Sequence, residues 1–330
     1  MSPGSYEEVR KYRDLKLNDF IHDHFLLNKF HDEIMQQVVR IALRKVEKDD
    51  GLGPAPFSFF VMGSAGRFEQ GLWSDQDHGI IYEETNTNAN AKSYFLHLGS
   101  EISKGLYLAG YEYCSGDVMA SNPTWCKSRL EWQQQISCWV QEANWESIRN
   151  LLIFIDSRSL YGEKKYIEEI KNYINQSIHS KKLLPNIFNN TMYYKKGIGI
   201  LGQLLIETHG IYAGQLNLKE TTLFPFVNAI RFLAIRNNII EASTLTRIDL
   251  LPERLFSKED KEKYKQQFIK LLNFRLLYGN DSNYEASHFL NIMKLSKVKK
   301  KEIKEIIKTT LSLCYQLRRL IEKEGSYGDE

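Results

Sequence analysis

Cysteine is scarce in this chain, and its few copies are not grouped. Cys114, Cys126, Cys138 and Cys314 form no Cys-x-x-Cys pair, which argues against a zinc knuckle or a thioredoxin-like redox site. Four cysteines in 330 residues do not make a disulfide scaffold either, and a reducing cytoplasm is the expected compartment. Long apolar runs are also lacking. The longest aliphatic or aromatic stretch that reads as buried, Leu151 to Ile155, falls far short of the roughly 20 residues a membrane helix needs. The first residues, Met1 to Arg13, lack the apolar centre of a signal peptide. Charge of one sign is not in excess: the net charge of +3 is too small to imply bulk nucleic-acid binding, although a local basic groove is compatible with it. Membrane and nucleic acid are therefore not expected partners. Internal repeats and low-complexity tracts are absent.

What is present is ordinary for a soluble globular chain, with 42% hydrophobic and 26% charged residues. The length suggests two domains rather than one. From Leu17 to Val46 the apolar residues Leu27, Phe30, Ile34, Val38 and Ile41 recur at helical spacing. Asp49 to Pro54 breaks that pattern. Phe57 to Met62, bounded by Pro56 and Gly63, reads as a buried strand, and His78 to Tyr82 as a second. Asn86 to Asn90 reads as a turn-like linker, and Phe95, Leu98, Ile102 and Leu106 as the next helix. Tyr111 to Cys114 is a candidate third strand. Beyond Asn122-Pro123 the period is helical almost throughout: Trp132, Ile136, Trp139 and Val140, then Ile198, Leu201 and Leu205, and finally Ile303, Ile307, Cys314, Leu317 and Ile321. The expected fold is α+β, a small mixed sheet with helices and then an α-helical bundle. The divisions expected are residues 1–55 as an N-terminal helical segment, 56–122 as the α/β core and 123–330 as the helical domain.

The stretch from Phe59 to Tyr82 carries the chemistry. It comprises a strand, a Gly63-Ser64 turn, a loop, and a strand entered through Asp75 and Asp77. Gly63 lets backbone approach a ligand closely, because no Cβ intervenes. Ser64 adds a hydroxyl to the unpaired N–H groups of a starting helical turn, a combination suited to phosphate oxygens. Arg67, one turn later, offers a permanent forked cation. Asp75 and Asp77 are two positions apart, so on an extended segment both carboxylates point to one face. Two carboxylates about 4 Å apart repel by roughly 4 kcal/mol at an effective dielectric of 20, and a divalent cation reverses that sign. Alone, Asp-x-Asp is usually a turn or a solvated edge. Eleven positions after Ser64, with strand patterns on both sides, it is far more specific.

Gly63-Ser64-x-x-Arg67 followed by Ser74-Asp75-x-Asp77 resembles the nucleotidyltransferase core shared with polymerase β. The longer form, Gly63 to Tyr82, is similar to the N-terminal domain of the uridylyltransferase that modifies the PII signal protein. It is more similar still to a group of bacterial nucleotidyltransferases that often carry CBS or cyclic-nucleotide-binding domains. The likeness continues in Gly116 to Trp125, in Phe154 to Gly162, around Leu218-Lys219 and from Arg231 to Arg247. The resemblance implies that Asp75 and Asp77 hold Mg²⁺ or Mn²⁺ and are catalytic, and that Gly63, Ser64, Arg67 and Ser74 hold the NTP. It implies a hydroxyl acceptor, by analogy on a protein, presented by the helical half. No CBS, cyclic-nucleotide, HD or ACT segment is recognisable, so those regulatory inputs are expected to be absent. The fold usually adds a third carboxylate from a later strand, for which Glu112 and Asp117 are both candidates.

Other features have plainer readings. His22-Asp23 and His31-Asp32 are expected on a solvated helix face, and His78 is expected to pack on the opposite face from Asp77. Trp125, Trp132, Trp139 and Trp145 read as core anchors, and the lysines from Lys294 to Lys304 as a solvated helix entrance. Arg158, Lys219, Arg231 and Arg247 fit either of two roles, binding phosphate or acceptor, or forming ion pairs within the helical half. Two other function classes stay open: a regulatory module that senses a nucleotide without turning it over, and a nucleotidylating enzyme for small molecules.

Overall fold

The computed structural model describes residues 3–84, 90–280 and 282–325. The chain divides into two compact units, residues 1–183 and 184–330.

The first unit is built on a four-stranded mixed sheet of order β3-β2-β1-β4. Strand β1 (Phe57–Val61) runs antiparallel to both β2 (His78–Tyr82) and β4 (Arg158–Gly162), and β3 (Cys126–Ser128) runs parallel to β2. Side chains alternate across β1, as a pleated strand requires. Phe59 and Val61 enter a core with Ile80, Tyr82, Phe95 and Leu98, closed by helices α1 (Tyr6–Lys16), α2 (His24–Asp50) and α4 (Ala91–Leu108). Phe60 faces the other way, 5.9 Å from Trp132 and 5.3 Å from Phe154 between ring centroids. Trp132 also donates its indole N–H to the Ile80 carbonyl at 3.1 Å. This second layer is made by α5 (Arg129–Glu142), α6 (Trp145–Ile155) and α7 (Lys164–Ser180). A single helical turn, α3 (Gly63–Gly66), follows β1.

The α+β class expected from the sequence is the observed one, and β1 and β2 lie where their patterns placed them. Residues 123–183, assigned from the sequence to the helical domain, sit instead with the first unit. They contribute β3, which is only three residues long, and β4, whose Arg158–Gly162 run is mostly partly exposed and lacks the continuous apolar pattern of β1 and β2. Tyr111 to Cys114 makes one parallel bridge, between Asp75 and Glu112, rather than a strand. Of Trp125, Trp132, Trp139 and Trp145, expected as core anchors, the first three are core residues, but Trp145 is 67% exposed. The linker read at Asn86 to Asn90 lies outside the described residues except for Asn90, which stands at the start of α4.

The second unit contains α8 (Leu184–Thr191), α9 (Phe224–Arg236), α10 (Thr244–Leu250), α11 (Lys258–Tyr278) and α12 (Lys297–Gly325), with a short antiparallel pair, β5 (Gln215–Asn217) and β6 (Phe289–Asn291). Phe226 of α9 stacks on Phe268 of α11 at 4.8 Å, beside the buried Ile303, Ile307 and Leu313 of α12. A π-helical turn, Lys219–Leu223, leads directly into α9. The helix expected around Ile198, Leu201 and Leu205 does not form. Gly197, Gly199 and Gly202 interrupt it, Gly202 takes the left-handed φ of +74°, and Ile198 bridges to Leu204 instead. Among the described residues no helix is long and apolar enough to cross a membrane.

Buried in this unit, His288 has its Nε2 3.1 Å from the Lys219 ammonium, which can only donate. The ring is therefore neutral with its proton on Nδ1. Burial, reinforced by Arg275 and Lys219, pulls its pKa down to about 2. Below about pH 6.5 the unfolded chain binds a proton here that the folded chain refuses, so this site stabilises the fold less as pH falls from 6.5 towards 2. Denaturant unfolding at pH 7.5 and pH 5 should show the wild type losing about 2 kcal/mol more than His288→Gln over that interval.

Candidate active site

The antiparallel register that pairs Val61 with His78 brings the end of β1 against the start of β2. One residue further on, the Met62 N–H donates to the Asp77 carbonyl at 2.8 Å. The Gly63 turn therefore lies against the Asp77 side chain. Gly63 has a φ of +54°, and a Cβ there would collide with the Asp77 carboxylate. Glycine is required for both reasons.

Ahead of β2 the chain is extended, and burial alternates residue by residue. Ser74, Gln76 and His78 are buried, while Asp75 and Asp77 are only partly so. The inward residues are locked by hydrogen bonds. Gln76 Nε2 donates to the carbonyls of Ser103 and Tyr111, and its Oε1 lies 3.0 Å from His78 Nε2. His78 Nδ1 accepts from the Ala120 N–H at 3.1 Å. This fixes a neutral ring with its proton on Nε2, and burial lowers the pKa to about 3. His78 is thus a packing residue, turned away from the two aspartates.

Asp75 and Asp77 meet a third group that the sequence reading did not select. A carboxylate oxygen of each and the Cys114 Sγ all lie within 4.8 Å of one another. The expected third carboxylate is not in this group. Glu112 pairs with Asp75 through the backbone, its N–H donating to the Ser74 carbonyl at 3.2 Å. Asp117, with φ +54°, is tied to Asn122, whose Nδ2 donates to its Oδ2 at 2.8 Å. Burial pushes the Cys114 thiol up to about 12, helped by the neighbouring Asp77 carboxylate to which it hydrogen-bonds. A thiol gives no sequence signal of this role, since cysteine is among the residues most often simply buried.

Two further residues expected at the nucleotide have partners within the protein. Arg67 is turned into the protein: its Nε donates to Glu69 at 2.7 Å and its Nη1 to Asp156 at 2.6 Å, all three side chains being buried. Its charge is taken up by those carboxylates, not presented to a ligand. The Ser74 hydroxyl likewise donates to the Asp75 carbonyl and accepts from Gln70 Nε2, so it orders the loop rather than facing a nucleotide. A second cation lies in the neighbourhood of Cys114. Arg149 of α6 lies against Gly116, where an ideal Cβ would be 2.9 Å from its Nη2 and 3.7 Å from Cys114 Sγ. Ser64 keeps a partly exposed place in the turn beside Gly63.

The loop between the turn and Asp75 is held from the helical layer. Asn28 of α2 forms a reciprocal pair with Gln70, taking its N–H and donating to its carbonyl. His31 is fully buried, with Nε2 2.9 Å from the Gly71 carbonyl and Nδ1 2.8 Å from the Tyr111 hydroxyl. Arg13 of α1 donates to the Leu72 carbonyl at 3.0 Å. Asp32 receives a bidentate pair from Arg158, which also donates to the Ala65 carbonyl in the Gly63 turn. The solvated face expected for His31 and Asp32 is therefore an inner face that grips the site. In the second unit, Arg247 is wholly buried and donates to the Glu241 carbonyl at 2.6 Å, so it is no surface group for an acceptor. Lys219 and Arg231 are partly exposed.

Two family models match this chain. Residues 20–146 match the one described as "Putative nucleotidyltransferase DUF294". Residues 181–320 match "Putative nucleotidyltransferase substrate binding domain". Together they take in most of the chain, which belongs to this family of nucleotidyltransferases. A comparison with curated proteins finds no match.

Gly63→Ala tests the contact between turn and carboxylate. The variant should keep its helical circular dichroism yet lose nucleotidyl transfer by about a hundredfold or more, since a carboxylate displaced by about 1 Å is enough for such a loss.

Proposed function

We propose that the chain transfers a nucleoside monophosphate from an NTP to a hydroxyl acceptor, and that it needs a divalent metal ion, Mg²⁺ or Mn²⁺. The observation that carries this reading is the pair of partly exposed carboxylates, Asp75 and Asp77, the second of them set directly against Gly63 of the Gly63-Ser64 turn. Their oxygen donors suit a hard cation, which commonly takes one or two protein carboxylates and fills its other positions with water and phosphate oxygens. Asp75 and Asp77 would hold the ion, which when bound offsets phosphate charge and makes an acceptor hydroxyl more acidic. The N–H groups and hydroxyl of the Gly63-Ser64 turn receive phosphate oxygens. Arg149, partly exposed near Cys114, takes the part of phosphate-binding cation that Arg67 is too buried to play. In the reaction the acceptor oxygen bonds to the α-phosphorus, the bond to the β-phosphate breaks, pyrophosphate leaves, and the hydroxyl proton goes to solvent.

The acceptor in this reading is a protein side chain, recognised by the second unit through Lys219 and Arg231. The description of the family model that matches this unit, a substrate-binding domain, supports placing acceptor recognition there. One observation favours a second reading, a module that binds nucleotide without turnover: the third place beside the aspartates holds a thiol rather than a carboxylate. Pyrophosphate release separates the two.

Incubation with each α-labelled NTP and cell extract should place label on a protein acceptor. Asp75→Asn and Asp77→Asn should each cut transfer by about a hundredfold or more while leaving the melting temperature unreduced. Arg149→Gln should raise KM for the NTP with the fold intact. Arg67→Gln should instead destabilise the chain by about 3–5 kcal/mol, because it leaves Glu69 and Asp156 buried without their cation. Transfer undiminished in both aspartate variants would overturn the proposal.

A further inference from the structure

Of the four cysteines, Cys126 and Cys314 are buried and Cys138 is exposed, whereas Cys114 is half-buried at the aspartate pair. Its position is fixed from several sides. The Asp117 N–H donates to the Cys114 carbonyl at 3.0 Å, closing a tight turn just after it. Two residues earlier, the bridge from Glu112 to Asp75 sets the segment alongside the aspartates. The sulfur thus meets both carboxylates at metal-ligand spacing, while the nearby acidic residues Glu112 and Asp117 stay out of the group. A third carboxylate would make the site harder and more negative. A thiol supplies a soft donor that can become an anion on binding, and thiolate favours zinc-like and other transition-series ions, whereas an all-oxygen set favours Mg²⁺.

We propose that Cys114 is the third metal ligand, and that the mixed carboxylate–thiolate set narrows the metal of the proposed function from Mg²⁺ towards Mn²⁺ and softer divalent ions. The proposal rests on the reading of Asp75 and Asp77 as metal ligands. On binding, the Sγ–H bond breaks, an Sγ–metal bond forms, and the proton passes to the buffer without any change of oxidation state. The carboxylates anchor the ion by charge and the sulfur discriminates between ions.

The test is metal titration of the full chain with Mg²⁺, Mn²⁺, Co²⁺ and Cd²⁺, followed by calorimetry and ultraviolet absorption. Cd²⁺ should raise a sulfur-to-metal charge-transfer band and release a proton, in the wild type and in Cys138→Ser alike. Cys114→Ser should lose the band and bind Cd²⁺ and Co²⁺ at least about tenfold more weakly, and Cys114→Asp should bind Mg²⁺ better than the wild type does. The wild type provides a measurement that needs no substitution: Cd²⁺ or Co²⁺, but not Mg²⁺, should slow alkylation of Cys114. Absence of the band together with unprotected Cys114 overturns the thiolate ligand. If Asp77→Asn still abolishes metal binding in that case, the carboxylate site and the proposed function survive. If Asp77→Asn leaves the affinity for every ion unchanged, the metal site itself fails and the inference falls with it.

Discussion

Asp75 and Asp77 place two like charges within 4.8 Å of each other, and the rest of the first unit is arranged to keep them there. At that separation the repulsion is about 3–4 kcal/mol at an effective dielectric of 20, a large fraction of the 5–15 kcal/mol typical of net folding stability. A flexible loop would relieve it by swinging one carboxylate away. The chain prevents this by alternating the carboxylates with Ser74, Gln76 and His78, each buried and hydrogen-bonded. The outward residues cannot turn without pulling the inward ones from their partners.

The neutral state of His78 belongs to the same arrangement. A charged imidazole behind the aspartates would offset their potential from the wrong side, and burial keeps the ring uncharged. Two arginines behind the site have carboxylates of their own. Arg67 is matched by Glu69 and Asp156, and Arg158 by Asp32. These two arginines therefore offset little of the charge that Asp75 and Asp77 carry beside the Gly63 turn.

Much of this was readable from the sequence, for reasons that can be stated residue by residue. β1 and β2 are continuous apolar runs bounded by turn residues, and Asp75 and Asp77 share a face because strand geometry has a period of two. Gly63 was picked out for close approach, although its neighbour proved to be the Asp77 carboxylate itself. What was not legible turns on contacts and backbone geometry that residue type does not display. Arg67, Ser74 and Arg247 have the chemistry of ligand-binding groups; Arg67 is held by Asp156, far along the chain, whereas Ser74 and Arg247 bond to near neighbours, Gln70 and the Glu241 carbonyl, through local geometry that residue type alone does not display. His31 and Asp32 were taken for solvated residues because their partners, Gly71, Tyr111 and Arg158, are distant in sequence. Cys114 was overlooked because only a tertiary turn brings its sulfur to the aspartates. The glycines at 197, 199 and 202 overrode an apolar spacing that looked helical.

The edges of the first unit have a practical consequence. The matched family segment runs from residue 20 to residue 146, but β4 begins at Arg158 and α1 ends at Lys16. A fragment trimmed to the matched segment would expose the β1 edge along its length, an open template for strand addition by another copy and hence for aggregation. It would also lose Tyr6 and Val9 from the core and the Arg13 bond that steadies Leu72. An expression fragment of this unit is better cut near residue 183, where the contacts divide, so that the sheet keeps both its outer strand and its first helix.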